Sequence, residues 1–405
     1  MSVNTISTVD SAIAYESLMK KAKELVPKLR ERSQELQQTR RIPQETIDEL
    51  EAAGLFHLTI PKEYGGQQLD FRHYVDVIAE IGRGCGSTSW VLTLTNVCNW
   101  FTSVLFTEEV HRVLFESEKK ARVCGVLDPR KASVKRVDGG YLIEDALWGF
   151  ASGSWHADYF FLGIPLVDEK GEIIDPAGVA LIPKSEVQIK DDWFTVSMRG
   201  TGSNTVTVQN VFVPDERISS LGKGIEGIYK SEHLSDQSLY RSAFIPVSAI
   251  IMTGPALGLA KAAMEHFMEK LPNRRITYTP YEKQAEAPIT HLQVAEASMK
   301  IDTALLHAYR AAEDIDNWAK SGEYMELENR ARVRMDCALV VRTCQEAIEI
   351  LMTAGGGSAV SENNPLNLIA SDIRASNVHA VMTPTTNLEL YGRILCGQGP
   401  NVPLV

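Results

Sequence analysis

Trp148-Gly149-Phe150-Ala151-Ser152-Gly153-Ser154-Trp155-His156-Ala157-Asp158-Tyr159 joins two strand-like segments near the middle of the chain. It brings a hydroxyl (Ser152), two glycines and a histidine together and flanks them with Trp148, Phe150 and Trp155. Aromatic surfaces beside small residues suit a flat heterocycle lying close to the backbone. A serine hydroxyl there can hydrogen-bond a ring nitrogen. A tight turn lined by core aromatics accounts for the same residues.

Around this stretch lie 405 residues, too many for one simple core, so two or three domains or layers are expected. With 44% hydrophobic and 23% charged residues the composition is that of an ordinary soluble protein. The net charge of −11 is spread rather than blocked, which argues against nucleic-acid and anionic-membrane partners. Cys85, Cys98, Cys124, Cys337, Cys344 and Cys396 are scattered without C-x-x-C pairs, so neither a metal knuckle nor a disulfide framework is expected, and a reducing cytoplasm is. Met1 to Glu16 lacks a basic stretch followed by an apolar core, so no secretory leader is expected. Gly86 to Phe106 is uncharged and long enough to span a bilayer, but its threonines, asparagines and serine indicate a buried helix.

The hydrophobic period divides the chain into 1–120, 121–232 and 233–405. Ala12 to Gln38 is helical; Pro43 opens a helix over Gln44 to Ala53, and Gly54 stops it. Tyr74, Val75, Ile78 and Ile81 form another helical face, and Gly82 to Ser87 breaks it. Strands are predicted at Tyr141–Ile143, Asp158–Ile164, Val179–Ile182 and Thr205–Val213. Long helices return at Ser248–Leu271, Ile289–Ser321, Met325–Met352 and from Asn367. Helices, then sheet, then long helices is an α+β layout.

No phosphate-cradling loop, dinucleotide fingerprint, H-E-x-x-H pair or G-x-S-x-G elbow occurs, and the histidines do not cluster as metal ligands. The difficult chemistry then falls to a bound organic cofactor. Several motifs share the chain in a fixed order: Arg41-Ile42-Pro43, Pro61 to Gly66, Gly84-Cys85-Gly86-Ser87-Thr88-Ser89-Trp90, Trp148 to Tyr159, Asp192-Trp193, Met198 to Ser203, and Val211 to Pro214. This order resembles the acyl-CoA dehydrogenase superfamily from about Arg41 to the end. Within it the chain is similar to oxygenase components of two-component flavin-dependent monooxygenases, the p-hydroxyphenylacetate hydroxylase branch.

The resemblance implies an N-terminal helical domain, a middle β-barrel or sheet domain and a C-terminal four-helix bundle, assembled as a homotetramer. It implies reduced FAD or FMN delivered by an NAD(P)H:flavin reductase, O2 as co-substrate and a C4a-(hydro)peroxyflavin. By the same resemblance Ser152 bonds the flavin N5 side, Phe150 stacks, and Thr201 and Ser203 line the ring. Arg274 would meet the cofactor's anionic end, and Gly355 and Gly356 would let amides approach it. Phe244 would border the flavin. Arg241, Trp90 and Cys98 would face a small-molecule substrate, and His379 would exchange the peroxide proton.

Two departures narrow this expectation. Where dehydrogenases of the fold carry a catalytic glutamate in E-G-T, this chain reads Pro384-Thr385-Thr386-Asn387, with Glu389 displaced. Cys98 stands where phenol-hydroxylating relatives often have histidine, and a thiol is a poor phenolate partner. Hydroxylation of a phenol- or indole-like compound is the leading expectation. N- or S-oxygenation of an amine, amino sugar or thiophene, acyl-CoA dehydrogenation, and a flavin-free binding or assembly role are the alternatives.

Overall fold

The computed structural model describes the backbone of residues 3–405 and side chains from residue 13 onward. Met1 and Ser2, at the head of the stretch read for a leader, lie outside the described residues. Six helices come first: α1 (Val3–Glu31), α2 (Ser33–Thr39), α3 (Gln44–Ala52), α4 (Phe71–Gly84), α5 (Gly86–Leu105) and α6 (Glu108–Phe115). The helix predicted over Ala12 to Gln38 is thus two helices, and Pro43 stands just ahead of α3 rather than in its first turn. Asp70 caps α4 by accepting from the His73 amide at 2.9 Å. The break before α5 is Cys85 alone, in an extended conformation.

Helix α5 explains its own odd composition. Every residue in it except Leu94 is buried, so it carries no charge. Its polar side chains bind carbonyls and amides of the surrounding elements. Asn96 donates to the carbonyls of Leu55 and Leu92 and accepts from the Leu58 amide. Thr93 donates to the Ile251 carbonyl at 2.6 Å, and the Trp100 indole donates to the Leu239 carbonyl at 3.0 Å. The membrane-like stretch is therefore the central helix of a packed protein. A second run, Phe244–Asn273, also has the length and composition to cross a bilayer, which the sequence reading passed over; 94% of its most apolar window is buried.

The middle of the chain forms strands β1 (Val123–Val126), β2 (Lys131–Val137), β3 (Gly140–Ala151), β4 (Tyr159–Val167), β5 (Ile173–Pro183), β6 (Gln188–Lys190), β7 (Asn204–Pro214) and β8 (Ile218–Ser220). They make two four-stranded sheets, ordered β1-β4-β5-β8 and β2-β3-β7-β6, and only β1 and β4 pair in parallel. Trp148, Phe160, Leu162, Ile164 and Val206 belong to the apolar core between them. The four predicted strands exist and run longer. β1, β2, β6 and β8 were not read, because β2 is a half-exposed edge strand rich in basic residues and the other three are very short.

Helices α7 (Leu221–Ile225), α8 (Phe244–Ile250), α9 (Thr253–Lys270), α10 (Pro288–Ser321), α11 (Leu327–Gly355), α12 (Pro365–Asn377) and α13 (Pro384–Leu395) complete the chain. Of the long helices α9, α10 and α11, the first two pack on α4, α11 packs on α9 and α10, and α12 packs on α9 and α11. Phe244 stacks on Phe101 of α5 at 4.4 Å, so α5 is buried between the β layer and this bundle. Trp100→Ala removes a fully buried indole and its hydrogen bond, and is expected to cost about 3–5 kcal/mol. A denaturation midpoint unchanged from wild type would contradict this account of α5.

Candidate active site

Strand β3 does not run straight into the Ser152 turn. Its pairing with β7 shifts register between Trp148 and Ala151, a bulge that aims Phe150 out of the ladder. Phe150 takes a left-handed φ of 65° and is 64% exposed, with Trp193 edge-on at 5.9 Å. A strained aromatic residue held open to solvent indicates a surface prepared for a ligand. Gly153 follows at φ 79°, and its amide donates to the Thr201 carbonyl at 2.8 Å. A Cβ on Gly153 would lie 2.9 Å from the Val91 side chain, so only glycine lets this turn sit so close to α5.

Three expected hydroxyls meet here. Ser152 Oγ lies 2.7 Å from Ser203 Oγ, which lies 2.6 Å from Thr201 Oγ1. Thr201 Oγ1 donates to the Met198 carbonyl at 2.8 Å, which fixes the direction of the chain: Ser203 donates to Thr201 and Ser152 donates to Ser203, leaving the Ser152 oxygen to accept. All three are buried. Neutral and mutually bonded, they present a hydroxyl oxygen at one end, with the polarity of a heterocycle's edge rather than of a charged ligand.

Opposite this turn stands α5. Trp90 and Leu94 are one helical turn apart, and Leu94 alone in the helix keeps some accessibility. The next position on that stripe, Cys98, departs from the substrate-facing expectation. Its sulfur would lie only 2.5 Å from a Cβ on Gly125, so the thiol is wedged against β1, and burial pushes its pKa far above the ordinary value. A protonated thiol in that position is a core group.

The third side is His379, whose ring meets Trp90 edge-on at 5.7 Å. The residue is half-exposed, yet protein surrounds the ring closely enough to push its pKa down to about 4. Both observations hold for a side chain lining an enclosed cleft. Its Nδ1 accepts from the Val381 amide at 3.3 Å, so the neutral ring carries its proton on Nε2 as a donor.

Other expected residues lie elsewhere. Arg241 spends its guanidinium on the carbonyls of Ala319, at the end of α10, and Ser235, away from the cleft. Phe244 is fully buried in the aromatic core. Arg274 and the glycines do come together: Arg274 donates to the Gly355 carbonyl and to Ser358, and Gly356 follows with φ 56°. This group shares no hydrogen bond with the Ser152 turn. Glu389 is exposed on α13, while buried Asn387 donates to the carbonyls of Val381 and Thr383, so the dehydrogenase segment supplies no base. An open depression of about 520 Å3 against Tyr15, Met19 and Lys23 contains none of these groups. Met198 and Asp372 were not singled out by the sequence; Met198 stood only as the first residue of the Met198-to-Ser203 motif.

Residues 14–114 match the acyl-CoA dehydrogenase N-terminal domain, and residues 250–384 the acyl-CoA dehydrogenase C-terminal domain. The flavin-dependent monooxygenase oxygenase subunit HsaA of Mycobacterium tuberculosis is 30% identical over 390 residues, 96% of this chain and 98% of that one. The oxygenase component of p-hydroxyphenylacetate 3-hydroxylase from Acinetobacter baumannii is 27% identical, covering 96% of this chain and 91% of its own. Among solved structures, XiaF from a Streptomyces species, in complex with FADH2 and glycerol, superposes with a TM-score of 0.91 at 27% identity, over 98% of this chain and 99% of that one. This chain belongs to the acyl-CoA dehydrogenase-fold family of flavin-dependent monooxygenase oxygenase subunits. It is an enzyme that works with reduced flavin.

The residues fit that cofactor: an open aromatic face at Phe150, a hydroxyl at Ser152 and a neutral donor at His379. The depressed pKa gives a test of the third. Folded His379 binds fewer protons than the unfolded chain between pH 6.5 and about 4, so its contribution to stability is lost as pH falls through that window. Wild-type protein is therefore expected to lose melting temperature over that range faster than His379→Gln. Parallel pH profiles would show that the ring is not held neutral.

Proposed function

We propose that this enzyme inserts one oxygen atom into a small aromatic or heteroaromatic compound, phenol- or indole-like, using reduced FAD or FMN and O2. The observation that carries this reading is a juxtaposition along α5: the turn holding the neutral hydroxyl chain packs on Val91, and the uncharged imidazole of His379 meets Trp90, the preceding residue, edge-on. Its relatives' names, one of them for a phenolic acid, support the substrate class. Reduced flavin supplies two electrons to O2, so that one oxygen atom enters the substrate and the other leaves as water.

The chain's own residues bind, orient and keep water out. Ser152 Oγ, held at 2.7 Å by Ser203, would bond the N5 edge of the ring, and Phe150 would cover one face. His379 Nε2–H would donate toward the reacting oxygen, and burial, which lowers its pKa to about 4, keeps it a donor without charge. Enclosure by α5, which has no charged side chain, keeps the surroundings dry and strengthens each of these hydrogen bonds.

Reduced flavin would come from a separate NAD(P)H:flavin reductase, since the sequence carries no nicotinamide fingerprint. A homotetramer is supported by α10, where Leu292, Met299 and Leu306 recur every seventh residue at 69%, 63% and 69% exposure. An apolar stripe of that spacing suits another helix. Six free thiols fit a reducing cytoplasm.

Ser152→Ala should raise H2O2 formed per reduced flavin consumed and lower product about tenfold, the equivalent of one hydrogen bond of about 1–1.5 kcal/mol. Coupling equal to wild type, across a panel of phenols and indoles supplied with photoreduced flavin, would remove Ser152 from this role. For the assembly, Met299→Glu combined with Leu306→Glu should reduce the mass measured by light scattering; an unchanged mass would place the interface elsewhere.

A further inference from the structure

Helix α12 carries a polar face that the reading above leaves unused. Asp372 and Ser376 are one turn apart on α12, where it meets α5 and the Met198 loop, and His379 follows just beyond the helix end. Asp372 is 2% exposed and Ser376 1%, and the Ser376 hydroxyl has no hydrogen-bond partner. Asp372 Oδ1 accepts from the Met198 backbone amide at 2.6 Å, across 174 residues of sequence. The carboxyl forms no ion pair, for Arg30 and Arg83 beside it are both engaged by Glu265.

Met198 is not a residue that chooses its conformation freely. Its φ and ψ are 49° and 36°, a left-handed geometry that costs a non-glycine residue roughly 1–2 kcal/mol. Its amide is held by Asp372, and its carbonyl accepts from Thr201 Oγ1 at 2.8 Å and from the Trp193 indole at 2.9 Å. Thr201 leads through Ser203 to Ser152. One residue therefore connects a carboxyl on α12 to the hydroxyl chain on the β layer.

We propose that Asp372 is a positioning residue: by pinning Met198 in its left-handed conformation it sets the Thr201–Ser203–Ser152 chain at a fixed place relative to α12 and His379. The proposal rests on the flavin reading of that site. Two further features suit the role. Gly86 packs its backbone against the carboxyl, where a Cβ would lie 3.1 Å from Oδ2, so the first turn of α5 is fitted to this side chain. A cavity of about 80 Å3, lined by Arg30, Ser33, Gly86, Leu259 and His266, opens beside it, large enough for about two waters. Burial raises the Asp372 pKa to about 7, and either protonation state retains an oxygen that accepts from the Met198 amide.

The acceptor, rather than the charge, is what the geometry requires, so Asn and Ala separate the alternatives. Asp372→Asn keeps an oxygen at the same reach, whereas Asp372→Ala removes it. With Asp372→Ala, hydrogen exchange of the Met198 amide should speed up at least about tenfold, and reduced flavin, titrated anaerobically, should bind about tenfold more weakly. Asp372→Asn should stay within about threefold of wild type in both, a tenfold change being the equivalent of about 1.4 kcal/mol. Should the Ala variant not fold, Asp372→Ser, too short to reach the amide, takes its place. Asn and Ala variants that match each other, whether both intact or both impaired, would overturn the proposal. Because amide exchange is read without flavin, a wild-type protein that bound no reduced flavin would refute the flavin reading and leave the clamp to be judged separately.

Discussion

The structure depends on burying one helix on every side. Helix α5 has no charged residue and almost no accessible surface, and its Asn96, Thr93 and Trp100 side chains bind backbone groups contributed by three other parts of the chain. Each such bond satisfies a polar group that has no access to water. The N-terminal segments, the strand layer and the C-terminal bundle are positioned against α5, and so against each other. Leu94 is the one residue of the helix that keeps some accessibility.

Around that point the protein gathers groups that are polar and uncharged. The hydroxyls of Ser152, Ser203 and Thr201 bond one another, His379 is held neutral by its surroundings, and the Cys98 thiol stays protonated against β1. Fixed dipoles in a dry site act strongly on a bound heterocycle, and they need no counter-ion. Arg274, by contrast, is engaged by the Gly355 carbonyl and Ser358 on the C-terminal bundle.

Much of this was legible in the sequence because periodicity and order survive without coordinates. The period-two strands, the long helices and the uncharged stretch each carried a local signal, and the ordered motifs carried the family. The turn residues Ser152, Thr201 and Ser203 were legible through the ordered motifs that contain them, because the resemblance assigned them together. What was not legible depends on where a side chain turns. Cys98 and Leu94 lie on one stripe, and only the approach of Gly125 decides that the thiol is enclosed. Arg241 lies near a cleft in sequence order but ends α10 instead. Asp372 contacts Met198 from the far end of the chain, and no spacing rule encodes such a contact.

The central claim is that this fold carries an oxygen-inserting cleft rather than a dehydrogenating one. The most direct measurement supplies the protein with photoreduced flavin, a phenolic or indolic substrate and 18O2 in ordinary water, and analyses the product by mass spectrometry. The account predicts one 18O atom in each product molecule, with no reductase present. Product that takes its oxygen from water, or consumption of reduced flavin that yields only H2O2 with every such substrate, would contradict it.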